Sequence, residues 1–152
     1  MTFPENGQTY RGGGFDDRHQ GFFTVGKKYR YPGFLATSAN ERVADEFIDR
    51  AVNPNTGGIQ RAQPARPGIK WIVKFDPRGA TDPRFRCQHV NFVKHSHVLN
   101  ELGEPKENEF LFAPYSVFTV LEVEWGSPHR IVIQAATDNK LELEDLPLAP
   151  WG

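Results

Sequence analysis

Residues 109–120, with the sequence EFLFAPYSVFTV, are the part of this chain that most restricts its fold. Aromatic and β-branched side chains fill the segment, which predicts strands, and Pro114 predicts a break between two of them. Glu107 and Glu109 stand where the first of these strands begins. Residues two apart in a strand project to the same face, so we expect the two carboxylates to point together. Charged pairs are also common at solvated strand edges, and the pair by itself fits either a reactive site or such an edge.

The clearest helix signal begins at Ser38. Ser38 and Glu41 match the S-x-x-E capping box, and apolar residues follow at helical spacing: Val43, Ala44, Phe47, Ile48 and Ala51. We therefore predict a helix with Ser38 as its N-cap. Phe47 falls on the apolar stripe, so it is predicted to pack in the core, and Arg50 is predicted to be a solvated helix residue.

Strands dominate the remaining pattern. A first strand is predicted within residues 7–15, ending in a turn at Gly12, Gly13 and Gly14, and a second follows the Pro32-Gly33 turn. The other predicted strands lie near residues 69–75, 88–93, 116–125 and 130–136, with loops at 53–68 and 76–86. The tail from residue 145 is predicted to be irregular and to pack across the surface through its apolar residues. We predict one α+β domain over residues 1–152, with no internal repeat.

The composition argues against several classes of partner and location. A net charge of -1 provides no long-range attraction to nucleic acid or to an anionic membrane, so we expect neither as a partner. No stretch approaches the apolar length of a transmembrane span, and the amino terminus lacks the basic and apolar regions of a secretory signal. Cys87 is the single cysteine, which excludes an intrachain disulfide and fits a reducing compartment. We expect cytosolic action by default, and a secreted effector that uses another export route fits equally well.

Three short motifs are arranged in order along the chain. Tyr10-Arg11-Gly12 ends one predicted strand, Phe34–Ser38 ends another, and Glu107-Asn108-Glu109 opens a third. This order resembles the arginine–serine–glutamate class of mono-ADP-ribosyltransferases. The resemblance implies a split β-sandwich of two small, mainly antiparallel sheets with few helices, and NAD bound as a substrate in the cleft between them, with no metal. It also implies transfer of ADP-ribose from NAD to an acceptor, with release of nicotinamide.

The resemblance assigns the binding of NAD to the first two motifs. Arg11 is implied to bind the NAD phosphates, a task that suits a permanently charged guanidinium fork, although an isolated arginine of this kind is often structural. Gly12 is implied to let the backbone approach the nicotinamide amide, and it also fits an ordinary turn glycine. Thr37 and Ser38 match the last two positions of a serine–threonine–serine motif. Ala36 departs from the first position, where the family has a serine that helps to organise the site and its catalytic glutamate. The resemblance implies that Thr37 or Ser38 substitutes for that contact, so Ser38 is expected among the catalytic residues as well as among those that bind NAD.

The resemblance assigns the chemistry to the third motif. Glu109 matches the catalytic glutamate, which binds the 2′-hydroxyl of the nicotinamide ribose and stabilises the oxocarbenium ion. Glu107 matches the first glutamate of the E-x-E signature, which orients the acceptor and helps to deprotonate it. A glutamate at this position is typical of arginine-modifying members, so we expect a target protein with an exposed arginine. Residues 98–106 occupy the place of the loop that reads the target.

Four further residues have more than one interpretation. Phe47 and Arg50 stand where some toxin members place a nicotinamide-stacking aromatic residue and a second phosphate-binding arginine. His95 and His97 lie two apart in the sequence, but no carboxylate or cysteine cluster completes a metal site around them.

Two alternatives to the transferase stay open. One is an NAD glycohydrolase toxin, and the other is a non-catalytic module that binds a nucleotide or a protein partner; Ala36 favours the module. We expect a monomer.

Overall fold

The structure is a computed structural model that describes residues 3–54, 64–94 and 108–150. Within these ranges the chain forms eight strands and one α-helix, joined by loops and short 3-10 turns. The elements are β1 Gln8–Gly14, β2 Lys28–Tyr31, β3 Leu35–Ser38, α1 Glu41–Val52, β4 Gly68–Lys74, β5 Val90–Lys94, β6 Asn108–Phe112, β7 Ser116–Glu124 and β8 His129–Ala135. No helix in the described ranges is long and apolar enough to cross a bilayer.

The predicted strands are confirmed, with one correction. The break at Pro114 separates β6 from β7, and the Pro32-Gly33 turn separates β2 from β3. The run Gly12–Gly14, predicted as a turn, continues β1 instead. Its residues pair with β4 as far as Gly14 and Gly68, because β4 supplies a partner for the whole length of the strand.

The strands form a single mixed sheet in the order β2-β7-β8-β4-β1-β3-β6-β5, in which β4 and β8 run parallel. The joint between β1 and β3 consists of one residue pair, Tyr10 with Ser38. A five-strand part and a three-strand part therefore meet at a single point. The predicted α+β class is confirmed; its two sheets are in fact one hydrogen-bonded sheet that divides beside this pair.

Aromatic side chains fill the core where the two parts of the sheet come together. Phe110, Phe112 and Phe118 are almost completely inaccessible to solvent. The ring centroid of Phe112 lies 5.2 Å from that of Phe118 and 5.6 Å from that of Phe75, within the usual range for aromatic pairs. Burying each such side chain stabilises the fold by roughly 1.5–3 kcal/mol. Cys87 is also buried, and burial raises the pKa of its thiol, so it is a small packing residue rather than a nucleophile.

The helix α1 begins later than the capping box predicts. Asn40 is its N-cap, and the side-chain oxygen of Asn40 accepts a hydrogen bond from the backbone N–H of Arg42 (3.1 Å). Ser38 is held in β3 between Tyr10 and Glu109, so its backbone belongs to the sheet. The hydroxyl of Ser38 instead accepts a hydrogen bond from the backbone N–H of Asn40 (3.0 Å).

The helix packs directly onto the glycine run of β1. A Cβ atom on Gly12 would stand 1.8 Å from the carbonyl oxygen of Ala44, so no larger residue fits there without moving the helix. Lys70 of β4 fixes the first turns of α1 through ion pairs with Asp45 (2.6 Å) and Glu41 (2.8 Å). Ala44 is the buried residue of α1. The helix is therefore seated on a part of β1 that lacks side chains, where the backbones of Gly12 and Ala44 come close together.

The tail lies along β2, the outer strand of the five-strand part. Its backbone bonds both sides of Arg30: the Arg30 N–H donates to the carbonyl of Pro147, and the Ala149 N–H donates to the carbonyl of Arg30, each at 2.9 Å. The prediction of apolar packing is correct for Ala149, which is buried, and wrong for Leu148, which is exposed; Leu146 is half-buried, and Trp151 lies outside the described residues. Backbone hydrogen bonds hold the tail beside β2, so Leu148 is not needed for packing.

Candidate active site

A cleft opens where β1 and β3 separate. The N–H of Phe15 donates to the carbonyl of Pro67 (2.8 Å), so the backbone N–H and C=O groups of Phe15 point toward β4. Every second residue of β1 does the same. In this alternation the backbone groups of Arg11 and Gly13 point toward β4, and those of Gly12 and Gly14 point to the opposite edge. That opposite edge pairs with β3 at Tyr10 and at no later described residue. The polar backbone groups of Gly12 and Gly14 therefore face the cleft.

The guanidinium of Arg11 bridges the gap between the two strands. Its Nη1 donates a hydrogen bond to the carbonyl oxygen of Ala36 at 3.0 Å. In the register set by Tyr10 and Ser38, Ala36 would face Gly12 if the ladder continued. Because β1 and β3 have separated at this point, the Ala36 carbonyl has no backbone partner on β1. The side chain of Arg11 donates to it instead. The contact uses the backbone of Ala36, so it does not depend on the serine that the family has at this position.

Glu109 lies on the other side of Ser38 from Tyr10. Ser38 pairs with Tyr10 on β1 and with Glu109 on β6, so the three residues form a row across three strands. Residues directly opposite in antiparallel strands have Cα atoms about 4.5–5.5 Å apart. Glu109 is half-buried and lines a cavity of about 280 Å³ together with Arg11. Residues from all three motifs are therefore brought to one place.

The hydroxyls of Thr37 and Ser38 both make structural hydrogen bonds. Thr37 is buried, and its hydroxyl donates to the carbonyl of Phe110 (2.9 Å), which ties β3 to β6. Ser38 is equally buried, and its hydroxyl accepts from Asn40 and keeps a hydrogen to donate. Both residues line the cavity of Glu109. Their observed role is to hold the floor of the cleft in place.

A larger cavity of about 440 Å³ continues the cleft along β1. It shares Arg11, Gly12 and Phe47 with the smaller one. Its other lining residues come from the end of β1, the end of α1, the segment before β4 and β4 itself, including the residues that directly follow β1 and α1: Gly13, Gly14, Phe15, Arg50, Ala51, Pro54, Pro64, Arg66, Ile69 and Trp71. The two cavities form one elongated cleft, which suits an extended ligand rather than a compact one.

Phe47 and Arg50 stand side by side at the junction of the two cavities. Core packing of Phe47 is the wrong prediction, because 44% of the residue is exposed. The close contact of Ala44 with Gly12 leaves Phe47 at the side of the helix, where it lines both cavities. The guanidinium of Arg50 lies 5.2 Å from the centre of the Phe47 ring, within cation–π range. The prediction that Arg50 is exposed is confirmed, and its side chain also lines the larger cavity.

The charges in the cleft are separated along its length. Among the described lining residues of the larger cavity, the charged ones are Arg11, Arg50 and Arg66. The carboxylate among the described lining residues of the smaller cavity is that of Glu109. Arg11 lines both cavities, so it stands between Arg50 and Arg66 in the larger cavity and the carboxylate of Glu109 in the smaller one. In the described part of the chain no three histidine, cysteine or acidic residues converge to hold a metal ion.

Some predicted residues cannot be placed, and one lining residue was not predicted. Glu107, the histidines at 95 and 97 and the loop 98–106 lie outside the described residues. Arg66 was not predicted, because it falls in a proline-rich stretch that signals only a loop. Its position against Gly14 arises from the tertiary fold, and no spacing in the sequence could have indicated it.

Comparison with solved structures identifies the fold. Vis toxin, an ADP-ribosyltransferase from Vibrio splendidus, matches with a TM-score of 0.58 at 20% identity, over 93% of this chain and 52% of the Vis chain. A structure of Vis in complex with agmatine matches with a TM-score of 0.55 at 21% identity, over 86% of this chain and 49% of that one. The chain thus has the ADP-ribosyltransferase fold, and the resemblance predicted this correctly.

The chain spans about half the length of the solved structures that it matches. No protein-family model matches the sequence, and no curated protein is significantly similar to it. Membership of the arginine–serine–glutamate class and the E-x-E signature therefore remain predictions.

Proposed function

We propose that this chain is an NAD-dependent mono-ADP-ribosyltransferase that modifies an arginine of a target protein. The observation that carries the proposal is that Arg11 and Glu109 line one cavity at the separation of β1 and β3. A guanidinium suited to phosphate and a carboxylate suited to a sugar cation are the two groups that this reaction requires. The ADP-ribosyltransferase fold of the chain supports the same conclusion.

In this proposal the cationic end of the cleft binds NAD. Arg11 and Arg50 bind the diphosphate, and the exposed ring of Phe47 packs against the nicotinamide. The backbone of Gly12, which faces the cleft, bonds the nicotinamide amide. Thr37 and Ser38 act as positioning residues, since they hold β3 against β6 and so place Glu109 beside the ribose.

The acidic end carries out the chemistry. Glu109 accepts a hydrogen bond from the 2′-hydroxyl of the nicotinamide ribose and stabilises the positive charge that develops at C1′. The bond from C1′ to nicotinamide breaks, and its electron pair leaves with nicotinamide. A guanidine nitrogen of the acceptor then bonds to C1′ and loses a proton, which passes to Glu107. By analogy with a single oxyanion-hole donor, the carboxylate of Glu109 lowers the barrier by roughly 3 kcal/mol.

Arginine as the acceptor is the finer part of the proposal. Its support is the E-x-E signature, Glu107 and Glu109, together with the binding of agmatine, a small guanidine compound, by the structurally similar Vis. The toxin name of that protein also supports a setting in which the chain acts as an effector inside a host or target cell.

The test is an assay of nicotinamide release and of label transfer from NAD to agmatine. We expect both activities from the unmutated chain. Glu107→Gln is expected to lose transfer and to keep most of the hydrolysis, because its carboxylate serves the acceptor rather than the sugar. Equal loss of both would contradict separate roles for the two glutamates.

The same assay separates the two alternatives. Nicotinamide release that no guanidine acceptor changes would identify an NAD glycohydrolase. Binding of NAD without release or transfer would identify a non-catalytic module, the alternative that Ala36 favours. The bond from Arg11 to the Ala36 carbonyl weakens the case for that module, because this contact needs no serine.

A further inference from the structure

Arg66 lies against the glycine run at the far end of the larger cavity. Its backbone N–H donates to the carbonyl of Ala51 at 3.0 Å, which fixes the segment before β4 to the last turn of α1. Its side-chain Nε and Cζ lie 2.7 and 2.8 Å from the point where a Cβ of Gly14 would stand. The guanidinium therefore occupies the space that the missing side chain of Gly14 leaves open.

The arginines reach the glycine run from both faces of β1. Alternation along a strand places the missing side chains of Gly12 and Gly14 on one face, toward α1 and Arg66. The side chain of Arg11 leaves from the other face. The edge between them carries the backbone groups of Gly12 and Gly14 that face the cleft. A ligand on this edge meets guanidinium groups on both sides.

These arginines differ from others at the surface in their charge partners. Arg18, Arg78, Arg84 and Arg130 each form an ion pair with a carboxylate at 2.6–3.1 Å. In the described ranges Arg11, Arg50 and Arg66 form no ion pair with a carboxylate, although all three line one cavity. Three like charges around one space favour a ligand with more than one negative charge.

We propose that Arg66 binds a phosphate group of the dinucleotide from the side of β1 opposite to Arg11. This inference rests on the proposed function and adds a binding residue to it. Arginine suits the task because its planar fork matches phosphate oxygens. This phosphate group belongs either to the bridging diphosphate of the dinucleotide or to a 2′-phosphate on the adenosine ribose. In the second case NADP would be a better substrate than NAD. Both present negatively charged phosphate oxygens that a guanidinium can bind.

The experiment measures binding without turnover. Calorimetric titrations with ADP-ribose and with 2′-phospho-ADP-ribose compare the unmutated chain, Arg66→Ala, Arg66→Lys and the control Arg84→Ala. Arg84 is a matched control, because it is an exposed arginine that lines neither cavity. We expect Arg66→Ala to weaken binding about tenfold, as for the loss of one charge-assisted contact, with Arg66→Lys in between and Arg84→Ala unchanged. The difference in affinity between the unmutated chain and Arg66→Ala should also become smaller as the salt concentration increases.

The two ligands separate the two phosphates. An equal loss for both ligands would assign Arg66 to the diphosphate, and a loss confined to 2′-phospho-ADP-ribose would assign it to the 2′-phosphate. Unchanged affinity of Arg66→Ala for both ligands, with tight binding by the unmutated chain, would overturn the role of Arg66 alone. Failure of the unmutated chain to bind either ligand would overturn both this inference and the proposed function.

Discussion

The two edges of β1 have opposite roles. Along one edge the strand pairs with β4 from Gln8 to Gly14. Along the other it pairs with β3 at Tyr10, and then the cleft begins. Pairing with β4 holds the glycine run in the sheet, one face of the run packs under α1, and the open edge presents the backbone of the same glycines to a ligand. One short segment thus serves packing and binding together, so substitutions along it should separate the two roles.

The largest effect is expected at the open edge, from Glu109→Gln. Loss of the carboxylate should reduce nicotinamide release and transfer by roughly 100- to 1000-fold, because the developing sugar cation loses its counter-charge. NAD affinity and thermal stability should change little. Steady-state assays check this, with Glu124→Gln as the control at an exposed glutamate of β7. Near-normal turnover of Glu109→Gln would contradict the assignment of Glu109 as the catalytic glutamate.

The next effect concerns the packing of the glycine run under α1, where Gly12→Ala should destabilise the fold. The added methyl group meets the Ala44 carbonyl, so α1 must shift. We expect a loss of about 3 kcal/mol in the free energy of unfolding. Urea unfolding measures this. Gly13→Ala is the matched control, since a Cβ there meets nothing within 4 Å. Equal stabilities of the two variants would contradict the close seating of the helix.

A smaller effect is expected for Arg11→Ala, which removes the guanidinium from the place where β1 and β3 separate. NAD binding should weaken by about tenfold to a hundredfold, the usual range for a lost charge-assisted contact to phosphate. Titration calorimetry with NAD checks the affinity, and Arg130→Ala serves as the control at an ion-paired arginine outside the cleft. Unchanged affinity would mean that Arg11 only joins the two strands.

The smallest effect concerns the start of α1, on the β3 side of the separation. Asn40→Ala removes the N-cap and should cost about 1 kcal/mol of stability, whereas Asn40→Asp should keep it. Thermal unfolding of the two variants measures the difference. A larger loss of stability in Asn40→Asp than in Asn40→Ala would show that the helix does not depend on this cap.

The pattern of the sequence predicts the elements better than their junctions. Strand-forming side chains and the break at Pro114 are local features, so β6 and β7 could be predicted from the order of residues in this segment alone. The order of the three motifs predicted that Arg11, Ser38 and Glu109 would meet, because the resemblance supplied the topology. Local patterns cannot show that β1 and β3 share a single pair, since that depends on how two distant segments diverge.

Two errors at the helix have the same physical origin. Ser38 matched a capping box, but the sheet holds its backbone, so Asn40 became the cap. Phe47 matched an apolar stripe, but the seating of Ala44 on Gly12 turned it toward the cleft. In both cases a tertiary contact outweighed a local preference. The arginine at 66 was missed for a related reason, because its neighbour Gly14 is 52 positions away in the sequence.

The tail has a practical consequence for anyone who shortens this chain. Arg30 is buried, and its guanidinium donates to the carbonyls of Leu143 (2.6 Å) and Tyr115 (2.8 Å). Its third acceptor is the carbonyl of Glu142 (3.4 Å), so removing the chain from residue 142 onward would take away two of the three acceptors and would expose the outer edge of β2. An exposed strand edge can pair with the edge of another chain, so the trimmed protein should self-associate more than the longer one does, which light scattering can measure.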